Sequence, residues 1–79
     1  MDVKEEGENM EQFLGFVAGV FGCQVDEVSM GLRYQEYEKW DSIMMVRLVM
    51  EAEKAYGKNI PIEAVRDIET LSDLYQYIK

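Results

Sequence analysis

Ser42 is the residue of this chain best placed to do chemistry. It stands in Trp40-Asp41-Ser42-Ile43, just ahead of an apolar-periodic run that ends at Gly57. Either Asp41 or Ser42 can be the N-cap of the helix that this run predicts, and Gly57 suits its C′ position. If Asp41 caps the free N–H groups, Ser42 falls at the first helical position with its hydroxyl uncommitted and directed toward solvent. A Ser-His-Asp use of that hydroxyl is excluded, because the chain contains no histidine. The same lack removes the commonest general base and the commonest metal ligand.

The helix that carries Ser42 has more apolar surface than one buried face can use. At about 100° per residue, Met45, Leu48, Val49, Ala52 and Tyr56 fall on one stripe, the spacing of a core-facing helix. Roughly opposite lie Ile43, Val46 and Met50, with Arg47, Glu53 and Lys54 around them. A helix in a small bundle buries one stripe, so the second is expected to stay partly exposed beside Ser42 and available to a partner. The alternative is a helix buried all round.

Three further helices are expected to hold this one. Met10, Phe13, Leu14, Phe16, Val17, Val20 and Phe21 cover less than half of a helical circumference, with Gly15 and Gly19 on the far side and Gly22 as the stop. The first helix should start near Asn9, after a charged, flexible terminus over residues 1–8. Pro61 suits a first helical turn, which predicts a short third helix over 62–67 held by Ile62, Val65 and Ile68. Thr70 with Asp73 three residues on reads as a capping box, followed by the stripe Leu71, Leu74, Tyr75, Ile78. The expected fold is therefore all-α, a small four-helix bundle with three longer helices and a short third one, in a single domain over residues 9–79.

Between the first two helices lies a long connection, residues 23–40, with apolar anchors at Val25, Val28, Met30 and Leu32 and aromatic residues at Tyr34, Tyr37 and Trp40. Connections this long are usually functional or disordered. The aromatics favour an ordered loop packed on the bundle, with one helical turn near Asp26-Glu27-Val28. Trp40 either shapes the approach to Ser42 or, with Tyr34, plugs the end of the core.

Length and charge narrow the functional classes. A chain of 79 residues buries only about 60% of its unfolded surface, too little to enclose an active-site cleft of the usual size. A carrier or adaptor fits better than an enzyme. Eight Lys and Arg against sixteen Asp and Glu, a net charge of −8, argue against nucleic acid and for basic protein partners. The single Cys23 allows no intrachain disulfide and no cysteine-based zinc site, and it points to a reducing compartment. The uncharged run from Phe13 to Val25 is shorter than the ~20 residues of a membrane span. The residues before it are mostly acidic, unlike those of a signal peptide. Cytoplasmic residence is the expectation.

Asp41-Ser42-Ile43 opening an amphipathic helix in a small acidic chain resembles the Asp-Ser-Leu signature of acyl carrier proteins. Tyr34, eight residues before the serine, matches their loop aromatic. Ile60-Pro61-Ile62 and Thr70-Leu71-Ser72-Asp73-Leu74 resemble their third and fourth helices. The likeness runs from about Met10 to Ile78. It implies that a phosphopantetheinyl transferase moves 4′-phosphopantetheine from coenzyme A onto Ser42, and that cargo then rides as a thioester. The domain itself catalyses nothing and holds no metal. Independently of the resemblance, a phosphodiester at a helix N-terminus meets unpaired N–H groups and the positive end of the helix dipole, worth about 0.3–1 kcal/mol when exposed.

By the same resemblance Asp41, Ile43, Val46, Met50 and Glu53 match positions read by partner enzymes, and Met44 and Arg47 stand where carriers of central fatty acid synthesis have acids. Lys39-Trp40 also replaces a Gly-small pair. These departures favour a free-standing, monomeric carrier dedicated to a polyketide, nonribosomal peptide or cell-envelope pathway, served by an acyl- or aminoacyl-activating ligase and acyl-processing enzymes. Arg47 has the plainer reading of a solvated cation on an acidic chain. A carrier's acyl pocket would draw on Met45, Leu48, Ile62 and Ile68. The competing function is a small acidic helical adaptor that binds through Ile43, Val46 and Met50 with Ser42 as a mere cap. No stretch has the acid spacing and glycine of an EF-hand loop.

Overall fold

The computed structural model describes residues 3–79, with side chains from Gly7 onward. Four α-helices, α1 (Val3–Phe21), α2 (Ser42–Tyr56), α3 (Ile62–Val65) and α4 (Leu71–Ile78), carry the architecture, and a 3-10 turn over Val25–Glu27 interrupts the long first loop. The described residues contain no strand, only an isolated antiparallel bridge between Arg33 and Thr70.

The expected stripes meet in one core. Phe13, Val17 and Phe21 of α1, Met45, Leu48, Val49 and Ala52 of α2, and Leu71, Leu74, Tyr75 and Ile78 of α4 are all buried. Aromatic rings tie the layers together: Phe13 lies 5.2 Å from Tyr75, and Phe16 meets Tyr56 edge-on at 5.6 Å. Burial pushes the Tyr56 phenol above its ordinary pKa, with Tyr75 adding to the shift. That phenol therefore stays neutral at physiological pH.

Helix ends follow from local chemistry. Gly22 adopts φ +74 and closes α1, its N–H and that of Cys23 both donating to the Ala18 carbonyl. Gly57, at φ 63, closes α2 in the same way, donating to the Glu53 carbonyl. The Thr70–Asp73 capping box starts α4 with both reciprocal bonds formed. At its other end α1 starts at Val3 instead of Asn9. Residues 3–8 are thus helical where a terminus without structure was expected, and Met1 and Asp2 lie outside the described residues. Lys4, Glu5 and Glu6 are good helix formers, and a local apolar pattern is not needed to extend a helix already nucleated by its packed face.

Three packing expectations need correction. Helix α3 ends at Val65, not Asp67, and Ile62 is 76% exposed; Ala64 takes its place in the core beside the expected Ile68. Pro61 takes the N-cap place there, so Ile62 is the first helical residue and faces away from the core. Val25 is exposed too, because the 3-10 turn points it outward while Val28 goes in.

The long loop is ordered, and backbone hydrogen bonds fasten it to α4. Tyr34 N–H donates to the Glu69 carbonyl at 2.8 Å, Leu71 N–H to Leu32 at 3.1 Å and Ser72 N–H to Met30 at 2.8 Å. Leu32 and Met30 thereby satisfy donors that the start of any helix leaves open. At the far end Lys39 Nζ donates to the Gly22 carbonyl at 3.5 Å, next to the C-terminus of α1.

Candidate functional site

The loop delivers Trp40 into the core and Asp41 onto the helix start. Trp40 is fully buried, its ring 5.9 Å from Phe21 and 5.6 Å from Tyr34. Of its two readings, core plug is the one observed. It anchors the chain one residue before the cap.

Asp41 settles the capping question. Its backbone is extended (φ −96, ψ −174), its Oδ1 accepts from Met44 N–H at 2.8 Å, and its carbonyl accepts from Met45 N–H at 2.8 Å. Ser42 is then the first helical residue. Its side chain is exposed and makes no hydrogen bond among the described residues. Helix geometry leaves the first amides of α2 without intrahelical partners, and Asp41 takes up the third, so the Ser42 and Ile43 N–H groups remain for an anion. Asp41→Ala is expected to lower stability by about 1 kcal/mol, read as a shift in the urea midpoint, because no neighbouring side chain caps that amide.

The second apolar cluster of α2 stays outside the bundle. Ile43 is 81% exposed, Val46 56% and Met50 52%, which rules out a helix buried all round. With Ser42, Arg47 and Glu51 they line a shallow open groove of ≈ 620 Å³. Of the expected docking residues, Ile43, Val46, Arg47 and Met50 therefore share one surface with Ser42. Two do not belong to it. Met44 is half-buried against the core, and the Glu53 carboxylate turns inward to accept from Ile60 N–H at 2.8 Å, bracing the turn after α2. Glu51, not among the expected residues, lines the groove as well. Its place four residues after Arg47, on the same helical face, was the available signal.

The expected acyl-pocket residues are divided between the core and the surface. Met45, Leu48 and Ile68 are packed in the core, and Ile62 is outside it.

This constellation is a helix-start serine freed by its neighbour's cap, flanked by an outward apolar ridge on a four-helix bundle. The chain that carries it is similar to known proteins. A family model described as the phosphopantetheine attachment site matches residues 11–78. An acyl carrier protein of Rickettsia bellii (strain OSU 85-389) is 34% identical over 73 residues, covering 91% of this chain and 90% of its own. One from Lactobacillus johnsonii is 28% identical over 74 residues, covering 94% and 92%. The solution structure of an apo doublet acyl carrier protein from prodigiosin biosynthesis superposes with a TM-score of 0.74 at 25% identity. That likeness covers 94% of this chain and 36% of the doublet, so the chain spans about a third of that protein. The chain belongs to the acyl carrier protein family. Its members carry acyl groups on covalently attached 4′-phosphopantetheine, are carriers and not enzymes, and work with phosphopantetheinyl transferases and acyl-processing enzymes. No helix among the described residues is long and apolar enough to cross a membrane.

Proposed function

We propose that Ser42 is the attachment point of 4′-phosphopantetheine and that the groove beside it is where partner enzymes dock. The observation that carries this reading is the Ser42 hydroxyl itself, exposed and unbonded because Asp41 does the capping. In the transfer, Ser42 Oγ forms a bond to phosphorus, the pyrophosphate P–O bond of coenzyme A breaks, and adenosine 3′,5′-bisphosphate leaves. The hydroxyl proton goes to a base of the transferase, since Ser42 Oγ is hydrogen-bonded to no base among the described residues and the Asp41 carboxylate is engaged with Met44 N–H. The attached group supplies a terminal thiol for thioester carriage. This chain contributes position: an uncommitted nucleophile, two free amides that can face the phosphate, and an apolar ridge beside it.

Ile43, Val46, Arg47 and Met50 form the docking face in this reading, with Glu51 at its edge and Met44 and Glu53 behind it. A small adaptor with an unmodified serine is the lesser reading, because it gives no role to a hydroxyl left free at the cap. The cargo is acyl, aminoacyl or peptidyl in a dedicated pathway, as the departures at Met44, Arg47 and Lys39-Trp40 and the likeness to a carrier from prodigiosin biosynthesis support, and the lone Cys23 favours the cytoplasm.

Incubation with coenzyme A, magnesium and a broad-specificity transferase is expected to add one phosphopantetheinyl group to the intact mass. An unchanged mass, under conditions that convert a control carrier, overturns the proposal.

A further inference from the structure

The charge of this protein is not on its docking helix. Within α2, Arg47 and Lys54 stand against Glu51 and Glu53, so the helix is neutral in a chain whose net charge is −8. The Glu53 carboxylate is moreover engaged with Ile60 N–H. The cation in the groove is Arg47, which is exposed and has no ion pair among the described residues. Glu51 lies one turn away but is not paired with it, and an Arg placed N-terminal to a Glu is the weaker order for such a pair.

Resting on the reading of Ser42 as the attachment point, we propose that Arg47 selects the phosphopantetheinyl transferase that modifies this carrier, by requiring an acidic side chain on the transferase opposite it. Ser42, Ile43, Val46, Arg47 and Met50 line one groove, so an enzyme that brings coenzyme A to the Ser42 hydroxyl covers Arg47 as well. Covering it strips water from a guanidinium. A desolvated cation left unpaired is strongly unfavourable, whereas one met by a carboxylate forms a bidentate, orienting contact. A transferase whose contact surface is uniformly basic, the complement suggested by net charge alone, is repelled at this point. Local charge on the contact helix, not the total, sets the complementarity.

Arg47 touches no reacting atom in this scheme, so its effect belongs in KM. The test uses the full-length apo protein, coenzyme A, magnesium and the phosphopantetheinyl transferase of its own host, with product read by intact mass. Circular dichroism first checks that Arg47→Lys, Arg47→Ala and Arg47→Glu are folded. Arg47→Glu is expected to raise KM for the carrier roughly 30-fold or more, as for a buried charge contact turned repulsive, with kcat held within about twofold. Arg47→Ala should fall between, and Arg47→Lys should restore KM to within about tenfold of wild type, the charge being kept and the bidentate geometry lost. Raising salt should weaken the wild-type advantage. A change in KM of less than about threefold for Arg47→Glu, or a fall, overturns the inference. Failure of wild type to gain mass instead overturns the reading of Ser42 itself, so the two failures are told apart.

Discussion

Replacing Ser42 with alanine is expected to abolish phosphopantetheine attachment completely and leave the bundle standing. The two halves of this result have separate physical causes. Attachment needs an oxygen nucleophile that is both exposed and free of intramolecular bonds, and the other hydroxyls at helix starts do not combine the two. Thr70 Oγ1 accepts from Asp73 N–H at 3.1 Å within the α4 capping box, and Ser72 sits half-buried in the first turn of the same helix. Stability is spared because Asp41, not Ser42, holds the Met44 amide at 2.8 Å. Alanine at an exposed first helical position should change stability by no more than about 0.5 kcal/mol. The paired measurements are intact mass after incubation with coenzyme A and a thermal melt. A melt lowered as much as Asp41→Ala lowers it would mean that the serine is the true cap and would favour the adaptor. A residual mass gain would move the attachment to another hydroxyl, with Ser29, exposed on the long loop, the first to examine.

Much of this was legible in the residues. Helical periodicity located the buried stripes of α1, α2 and α4 because each is long enough, or regular enough, for spacing to identify one face. The outward ridge Ile43-Val46-Met50 was legible for the opposite reason, as surplus apolar surface that a bundle of this size has no second face to cover. The failures occur where pattern is short or absent. Four residues of α3 are too few to define a face, and Ile62 went to the wrong side. The start of α1 carries no apolar period, so its backbone conformation was decided by the packed helix that follows it. Glu53 could be placed near the ridge by angle, but its hydrogen bond to Ile60 N–H depends on where the chain goes after Gly57, which spacing along one helix does not show. The choice between Asp41 and Ser42 as cap was likewise a matter of one residue of register, and the whole chemical reading turns on it.

Trp40→Ala is expected to unfold the protein at room temperature or bring it to the edge of unfolding. Large aromatic truncations in a packed core cost about 3–5 kcal/mol, and a domain of 79 residues has roughly 4–12 kcal/mol in all. Trp40 is completely buried and its ring joins Phe21 of α1 to Tyr34 of the long loop. Its removal therefore opens a void between these two elements, which the neighbouring contact of Tyr37 with Phe21 at 5.6 Å does not fill. The indole Nε1 is buried without a hydrogen-bond partner among the described residues, an arrangement that costs about 1–3 kcal/mol and is retained against the ring's packing. Trp40→Phe separates these effects. It deletes the unpaired N–H together with part of the ring, so the lost volume and the relieved polar group oppose each other, and the variant should stay folded with a urea midpoint much closer to wild type than that of Trp40→Ala. A cooperative, native-like melt for Trp40→Ala would show that the loop is not fastened through this ring. The consequence reaches the site because Trp40 precedes the cap directly. A loop released from the core no longer holds Asp41 in the extended geometry that frees Ser42, so Trp40→Ala should lose modification together with its fold, whereas Ser42→Ala loses modification alone.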